Sequence, residues 1–254
     1  MRAVTFVKII ILIMCTQVLA ANADVVEFSA TAVQQAPRMP ASVSQMYVSK
    51  EAVRREFTHN NQDFAEIYYP RKGIHYLITP ANKTYQIEKS PPNLAVLRGQ
   101  KIKSTNPCTD KVKESCKLLA EEDVNGQQAD KWEVSRDVDG RTLKALIWVD
   151  KRRGQVLRQF YPDGTVIELV QTGKMRINER DTERWELQTK APQGRTEKTV
   201  QWYDPELEMT IKEVLPGGFI RELKNIKTGK QPDDLFKIPS DYREAQPRKD
   251  ENNR

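Results

Sequence analysis

The sequence contains few of the residues that usually carry enzyme chemistry. It has two histidines, His59 and His75, and three cysteines, Cys15, Cys108 and Cys116. No serine or cysteine has a histidine near it in sequence that could act as its general base. The cysteine spacing is not that of a zinc knuckle, and both histidines lie far from the cysteines. We therefore expect no metal site and no cofactor, and a protein that is not an enzyme.

Long hydrophobic runs are also missing. Ile9–Ala20 is a run of about 12 residues, whereas a membrane-spanning helix needs about 20. Ala21-Asn22-Ala23 follows it, which is the order of a secretory signal peptide and its cleavage site. We expect residues 1–23 to be removed, giving a periplasmic protein without a transmembrane segment. A lipid anchor on Cys15 and an uncleaved anchor are the alternatives.

The charge is neither strong nor clustered. The chain has 41 basic and 35 acidic residues and a net charge of +6. Lysine and arginine are scattered along alternating positions, which is typical of a solvated sheet face and excludes the basic stripe of a nucleic-acid-binding protein. We expect one β domain over residues 24–242, followed by a disordered polar tail over residues 243–254.

Two cysteines remain once the signal peptide is removed, and they allow two exclusive structures. An even number in an exported protein favours a disulfide between Cys108 and Cys116. Alternatively, Asn106-Pro107 starts a helix that carries both cysteines on one face. Eight residues of helix span about 12 Å, while a disulfide needs Cα atoms roughly 4.4–6.8 Å apart. We favour the disulfide.

The most informative feature that is present is an internal duplication. The matching positions are the following pairs: Trp132 and Trp185, Gly140-Arg141-Thr142 and Gly194-Arg195-Thr196, Trp148-Val149-Asp150 and Trp202-Tyr203-Asp204, Pro162-Asp163-Gly164 and Pro216-Gly217-Gly218, Glu168-Leu169 and Glu222-Leu223. Turn residues recur at fixed distances with branched or aromatic runs between them, which predicts strands joined by tight turns. We expect two β-meanders, at about residues 129–172 and 182–229, each a strand–turn–strand–turn–strand unit.

The remaining pattern predicts strands throughout. Short strands are expected at 44–49, 52–57, 63–69, 73–79 and 84–88, and a crossing segment with at most one or two short helices at 94–117. Asn125-Gly126 between two strand-like runs is a strong hairpin signal. The strand at 143–149 is apolar on both faces, which requires cover on both. Periodicity leaves open whether the interior is filled by side chains or open to a ligand.

Two aspartates at matching repeat positions deserve comparison with a catalytic pair. Asp150 and Asp204 each follow a strand and precede a turn. A pair of carboxylates can serve acid–base chemistry, but aspartate in this position usually accepts hydrogen bonds from the turn backbone. We favour the turn role. The four tryptophans are likewise interpreted as packing residues and not as a ligand platform.

The order of these features resembles the periplasmic lipoprotein-carrier superfamily, which includes the LolA and LolB carriers and the RseB-type envelope-stress regulators. The matching elements are the signal peptide, Tyr68-Tyr69-Pro70, Tyr76-Leu77-Ile78-Thr79-Pro80, the cysteine-bearing crossing segment, Trp148-Val149-Asp150, and the terminal Asp234-Leu235-Phe236 followed by Ile238-Pro239. The resemblance implies a mainly β fold: a strongly curved antiparallel sheet, or half-open β-barrel, with a few short helices on its concave, apolar side.

The resemblance also implies function. Members of the superfamily bind acyl chains or lipidated proteins on the concave side, or act as regulatory and scaffolding modules that bind another protein. We expect a non-catalytic carrier for an apolar, acyl-chain-like ligand in a cleft lined mainly by aliphatic and aromatic groups. The alternative is an envelope module with a protein partner. The local cysteine pair departs from the carriers, and no stretch identifies the ligand-binding residues.

Overall fold

The structure is a computed structural model that describes residues 25–90, 105–108 and 114–245. The predicted signal peptide with Cys15, most of the crossing segment, and the tail beyond residue 245 lie outside the described residues. Within the described ranges, the chain contains no helix with the length and hydropathy of a membrane span.

Strands account for most of the described chain, and the helical residues are confined to three short 3-10 turns at Pro80–Asn82, Pro216–Gly218 and Asp233–Phe236. The strands in the described residues are β1 (Phe28–Gln35), β2 (Ser42–Val48), β3 (Val53–His59), β4 (Gln62–Tyr69), β5 (Ile74–Thr79), β6 (Thr84–Lys89), β7 (Glu114–Val124), β8 (Gln127–Val138), β9 (Arg141–Asp150), β10 (Val156–Phe160), β11 (Val166–Ile177), β12 (Arg180–Lys190), β13 (Thr196–Asp204), β14 (Met209–Val214), β15 (Ile220–Thr228) and β16 (Arg243–Glu244).

All these strands belong to one sheet, in the order β16-β6-β5-β4-β3-β2-β1-β15-β14-β13-β12-β11-β10-β9-β8-β7. Neighbouring strands are antiparallel except for β16, which runs parallel to β6. The sheet is strongly curved and does not close, so the predicted fold class, a half-open antiparallel barrel, is confirmed. β6 and β7 lie near opposite edges of the sheet, and most of the segment that joins them lies outside the described residues.

The crossing segment is fastened to the sheet by a disulfide. Cys108 and Cys116 are bonded, with Cα atoms 5.9 Å apart, so the predicted pairing is confirmed. The alternative helix through these residues is wrong, since Cys116 lies within the strand β7. Thr105 also donates a hydrogen bond from its hydroxyl to Asp130 on β8. Disulfides persist in oxidising compartments, and this one agrees with a protein that works outside the cytosol.

The duplication is visible in the sheet, where β7–β10 correspond to β11–β14. Each unit has four strands and not the three that the sequence predicts, because the chain also turns after Asp150 and after Asp204. Even irregularities recur: β10 and β14 each contain a β-bulge at equivalent positions, Leu157 and Ile211. Both bulge residues are fully buried. A bulge adds one residue to one strand and increases its twist, so its recurrence at the same position indicates a duplicated backbone.

The two-residue turns that open the units are also equivalent. Asn125-Gly126 joins β7 to β8 with positive φ angles of 55° and 79°, and Asn178-Glu179 joins β11 to β12 with positive φ angles of 49° and 65°. Positive φ at both central residues is typical of the type I′ turn, whose twist matches that of the two strands of a hairpin. The second copy uses glutamate where the first uses glycine, and a non-glycine residue pays a steric penalty in this conformation.

We predict that Glu179→Gly stabilises the protein by about 0.5–1 kcal/mol, because glycine adopts the left-handed conformation without a Cβ clash. Denaturant unfolding checks the result. The matched control is Gly126→Glu in the first turn, where nothing lies within 4 Å of an added Cβ. That control should lose a similar amount through backbone strain alone. Stabilities that do not move in opposite directions would show that the turns are not equivalent.

Both faces of β9 are covered at its C-terminal end, as its apolar sequence predicts. Trp148 and Val149 point to opposite faces, and both are buried. Leu143, near the start of the strand, is 46% exposed. The cover therefore reaches only part of the strand, the part that packs within the core cluster formed by Val124, Leu157 and Trp185 among others.

The last described residues, 230–245, form a segment that we call the strap. It starts beside β1, where the backbone N–H of Gln231 donates to Glu27. It ends at the outer strand β6, where Arg243 and Glu244 pair with Thr84 and Tyr85. These two residues belong to the predicted tail, but they extend the sheet as β16. The strap thus runs across the first six strands from one side to the other.

Candidate functional site

The strap is held on one face of the sheet by side chains that bind its backbone. Arg54 Nη1 donates to the carbonyl of Leu235 over 2.8 Å, and the Tyr69 hydroxyl donates to the carbonyl of Phe236. Arg54 pairs directly with Ile67 across β3 and β4, and Tyr69 lies two residues after Ile67 on β4. The three side chains therefore point to the same face of the sheet. Hydrogen bonds to carbonyl groups recognise a polypeptide backbone and not its side chains, and both carbonyls here belong to the 3-10 turn Asp233–Phe236.

Apolar and aromatic groups complete this contact. Phe236 is buried against Ala52, Ala65, Ile67 and Ile78. Around them lie tyrosines that contact one another edge to face, with ring centroids about 6 Å apart: Tyr69 with Tyr76, and Tyr76 with Tyr85. Burial raises the pKa of Tyr69, since the phenolate is less well solvated there. The face therefore combines a buried apolar socket with donors for a peptide backbone.

A groove of about 540 Å³ lies on the same face, beyond the part that the strap covers. The residues that line it come from β2, β3, β4 and the turn after β5: Val43, Ser44, Gln45, Arg54, Glu56, Phe57, Thr58, Asp63, Phe64, Ala65 and Pro80. Six of these eleven residues are polar or charged, so the groove differs from the mainly aliphatic and aromatic cleft that we predicted. Its volume lies in the range of ligand pockets, about 300–1,000 Å³.

Charges in the groove are partly paired. Arg54 Nε lies 2.8 Å from Glu56 Oε1, and the Thr58 hydroxyl donates to Asp63 over 2.6 Å. Arg54 thus touches both the groove and the strap, because its Nη1 holds Leu235. Val43 is 55% exposed and gives the groove an accessible apolar wall. The arrangement suits an amphipathic ligand that presents carbonyl or charged groups beside apolar ones.

A second candidate surface lies on the duplicated half of the sheet. Direct register pairs place Lys131, Trp148, Arg158 and Glu168 in one line across four strands, which we call the first charged row. The second charged row consists of the equivalent residues Arg184, Trp202, Lys212 and Glu222. Glu168 pairs with Gln188 on β12, the strand that carries Arg184, so both rows share one face.

Each row is a tryptophan between two cations. Lys131 Nζ and Arg158 Cζ lie 5.0 and 5.7 Å from the centre of the Trp148 ring. Arg184 Cζ and Lys212 Nζ lie 5.9 and 5.6 Å from that of Trp202. These distances are within the range of cation–π attraction.

Carboxylates at the end of each row are held in the same way. Asn125 Nδ2 donates to Glu168 over 3.1 Å, and Asn178 Nδ2 donates to Glu222 over 3.2 Å. Sequence alternation along one strand does not predict these contacts. Each joins the turn before one strand (β8 or β12) to the third strand beyond it in the sheet (β11 or β15).

The two aspartates compared with a catalytic pair stabilise turns. Asp150 Oδ1 accepts the backbone N–H groups of Arg152 and Arg153 over 2.6 and 2.7 Å. Asp204 Oδ1 accepts those of Glu206 and Leu207 over 2.9 and 3.0 Å. The turn interpretation is confirmed. Asp204 also accepts hydrogen bonds from the Arg180 guanidinium on β12.

The residue three positions after each aspartate differs between the copies. Leu207 is buried in the core. Its equivalent, Arg153, is 9% exposed and makes two hydrogen bonds of 2.5 and 2.7 Å with Glu183. The guanidinium lies above Trp185 and Tyr203. Burial raises the pKa of Glu183, but the hydrogen bonds and charge of Arg153, together with the Trp185 indole and Arg152, outweigh it, so that pKa lies below its usual value.

Neither histidine lines the groove or belongs to a charged row. His59 ends β3 and is exposed, while His75 on β5 packs edge-on against Tyr68 and lies 3.9 Å from Glu88. Among the described residues, no three histidine, cysteine, aspartate or glutamate side chains are grouped as metal ligands.

Sequence comparison finds no matching family profile and no matching curated protein. Similar solved structures include a LolA superfamily protein from Nitrosomonas europaea (13% identity, TM-score 0.37, covering 84% of this chain and 90% of that one). A putative outer membrane lipoprotein-sorting protein domain from Vibrio parahaemolyticus is similar at 15% identity and a TM-score of 0.29, over 82% and 88% of the chains. MucB in complex with MucA(peri) is similar at 11% identity and a TM-score of 0.19, over 81% and 94%.

These matches name the superfamily that the order of motifs in the sequence resembles. With TM-scores this low, the similarity does not extend to individual residues or to an activity. The candidate sites are therefore judged by their own geometry.

Proposed function

We propose that this chain is a non-catalytic binding protein of the cell envelope, exported to the periplasm by a signal peptide at residues 1–23. The disulfide between Cys108 and Cys116 supports an oxidising compartment. The turn roles of Asp150 and Asp204 remove the one carboxylate pair that the sequence offers for acid–base chemistry.

The ligand that we propose is an extended polypeptide bound in the groove beside the strap. The observation that carries this proposal is the strap itself, a polypeptide segment whose carbonyls at Leu235 and Phe236 are held by Arg54 and Tyr69 on the same face. The groove continues this face and offers charged and apolar groups together. A partner chain there would add backbone contacts to Arg54 and Glu56 and apolar contacts to Val43.

An acyl chain is the second candidate. It is the ligand that the family resemblance implies, and the exposed apolar side chain of Val43 in the groove favours it. Arg54, Glu56 and Asp63 disfavour it, because a hydrocarbon chain laid against them would remove water from charges without replacing it. A lipidated protein, which combines both chemistries, would use both walls of the groove.

Two probes separate these ligands: a displayed library of 12-residue peptides and a fluorescent fatty-acid analogue. We expect peptides selected on the full-length protein to lose at least about tenfold in affinity for Val43→Arg, which puts a charge on the groove wall. Met39→Arg is the control, because Met39 is 64% exposed and does not line the groove. It should bind like the unmodified protein.

Saturable binding of the fatty-acid analogue that Val43→Arg abolishes would replace the peptide with an acyl chain as the ligand. Selected peptides that bind both variants equally, or a selection that yields none, would contradict the groove as the binding site.

A further inference from the structure

A residue beside the tryptophan differs between the two charged rows, and that difference points to a binding site. In the first row, Glu122 on β7 completes the arrangement. Its Oε2 accepts the Trp148 indole N–H over 2.7 Å, and its Oε1 accepts Lys131 Nζ over 2.9 Å. These hydrogen bonds, helped by Arg158, hold the pKa of Glu122 below its usual value. The first row is thus a carboxylate site that the chain fills itself.

The second row has the same framework without the carboxylate. Glu122 lies opposite Ala129, next to a bulge between Leu118 and Ala120. The equivalent pair on β11 and β12 is Met175 opposite Thr182, next to a bulge between Gln171 and Gly173. Methionine therefore takes the position of the glutamate.

The loss of the carboxylate leaves a donor without an acceptor. Trp202 Nε1, the equivalent of the bonded Trp148 nitrogen, is buried and has no hydrogen-bond partner among the residues that the structure describes. A buried donor without a partner is unfavourable, and it is rare in folded proteins. Arg184 and Lys212 still lie against the Trp202 ring. The second row keeps the indole N–H and the two cations, and it lacks a carboxylate at the position equivalent to Glu122.

We propose that the second charged row binds an aspartate or glutamate side chain from an extended, acidic segment of a partner protein. The occupant is inferred from the first row, where the carboxylate is the side chain of a glutamate on β7, two strands away from Trp148 in the sheet. This inference does not rest on the groove beside the strap, which lies on other strands.

The cations of the second row have capacity for such a ligand. Arg184 bonds Glu186 and Thr172, and both contacts use Nη1, one of its three nitrogens. Lys212 lies 3.4 Å from Glu222. In the first row Arg158 is similarly bonded to Glu168 and still lies beside the carboxylate-bound tryptophan. Because Trp202 Nε1 is buried, the groups that cover it must move before a carboxylate can bind it.

The first test supplies the missing carboxylate from the protein's own chain. Met175→Glu places a carboxylate at the position equivalent to Glu122, and Met175→Gln is the matched uncharged control. In a ¹H–¹⁵N spectrum, the Trp202 indole N–H, assigned with Trp202→Phe, should move to the downfield position of a hydrogen-bonded indole in Met175→Glu. It should move less in Met175→Gln. An unchanged resonance in a folded Met175→Glu variant would overturn the proposal.

The probe for binding is a labelled peptide with the sequence of residues 117–124, which contains Glu122, and a copy in which Glu122 is glutamine. We expect the acidic peptide to bind the full chain about tenfold or more tightly than the copy, since it forms charge-assisted hydrogen bonds. Met175→Glu should abolish this preference, and Met175→Gln should keep it.

Equal binding of both peptides, no binding of the acidic peptide, or a preference that survives Met175→Glu would each contradict the site. Displacement of the acidic peptide by a fatty-acid analogue at stoichiometric concentration would assign the row to a lipid carboxylate and would also overturn the proposal.

Discussion

Replacing Arg153 with leucine should destabilise the protein by about 3–5 kcal/mol, because it leaves the Glu183 carboxylate buried without its partner. Leucine is the residue that the second repeat has at the equivalent position, Leu207, so the substitution fits the local backbone. The loss comes from the unpaired charge and not from packing alone. Urea unfolding measured at pH 7 gives the magnitude.

The pH dependence of this loss identifies its cause. With Arg153 present, the pKa of Glu183 is lowered in the folded state, so the pair stabilises the protein above the usual glutamate pKa, and this contribution is lost as the pH falls. Without Arg153, burial alone raises the pKa of Glu183, and the penalty disappears as the group is protonated. The difference between the two proteins should therefore shrink from pH 7 to about pH 4.

A double variant, Arg153→Leu with Glu183→Gln, provides the control. Glutamine keeps an oxygen for the Trp185 indole N–H, which donates to Glu183 over 3.1 Å. The double variant should recover at least half of the lost stability. A single and a double variant of equal stability, or a loss that is independent of pH, would show that Arg153 acts by packing against Trp185 and Tyr203.

Replacing Phe236 with alanine should release the strap. Truncation of a buried phenylalanine costs about 3–5 kcal/mol, and Phe236 is 7% exposed in its apolar socket. Since the strap is held at Arg54 and Tyr69 by its backbone, loss of the ring should loosen these contacts together. Phe160→Ala is the matched control, because Phe160 is 45% exposed and its removal should cost little.

Tyrosine titration separates release of the strap from general destabilisation. Burial raises the pKa of Tyr69. In Phe236→Ala, Tyr69 gains solvent, so its pKa should fall towards the ordinary tyrosine value of about 10. If the ultraviolet titration of the folded variant is unchanged, the strap stays in place without its phenylalanine, and Phe236 contributes packing energy only.

The features predicted well from sequence are those encoded by neighbouring residues. The Asn125-Gly126 turn is predicted by dipeptide chemistry, and the disulfide by the count of cysteines. The equivalent turn at Asn178-Glu179 lacks the glycine signal and was missed, although the repeat offset of 53 residues points to it. Turns after Asp150 and Asp204 were predicted, but the short strands that follow them, β10 and β14, were not.

The features that sequence did not predict depend on which strands lie side by side. The groove joins residues from β2, β3, β4 and the turn after β5, and its polarity follows from Arg54, Glu56 and Asp63 sharing one face of β3 and β4. The terminal Asp234-Leu235-Phe236 was noted as a motif, but its socket is set by long-range register. The charged rows likewise appear only when four strands are aligned.

The most direct test of the central claim, that the groove binds a polypeptide, is photocrosslinking in the native envelope. A benzophenone amino acid is placed at Val43 in the groove, or at the exposed Met39 as the control, and the crosslinked species are identified by mass spectrometry. We predict a discrete crosslink to a polypeptide from Val43 and none from Met39. A lipid adduct alone at Val43, or the same products from both positions, would contradict the account.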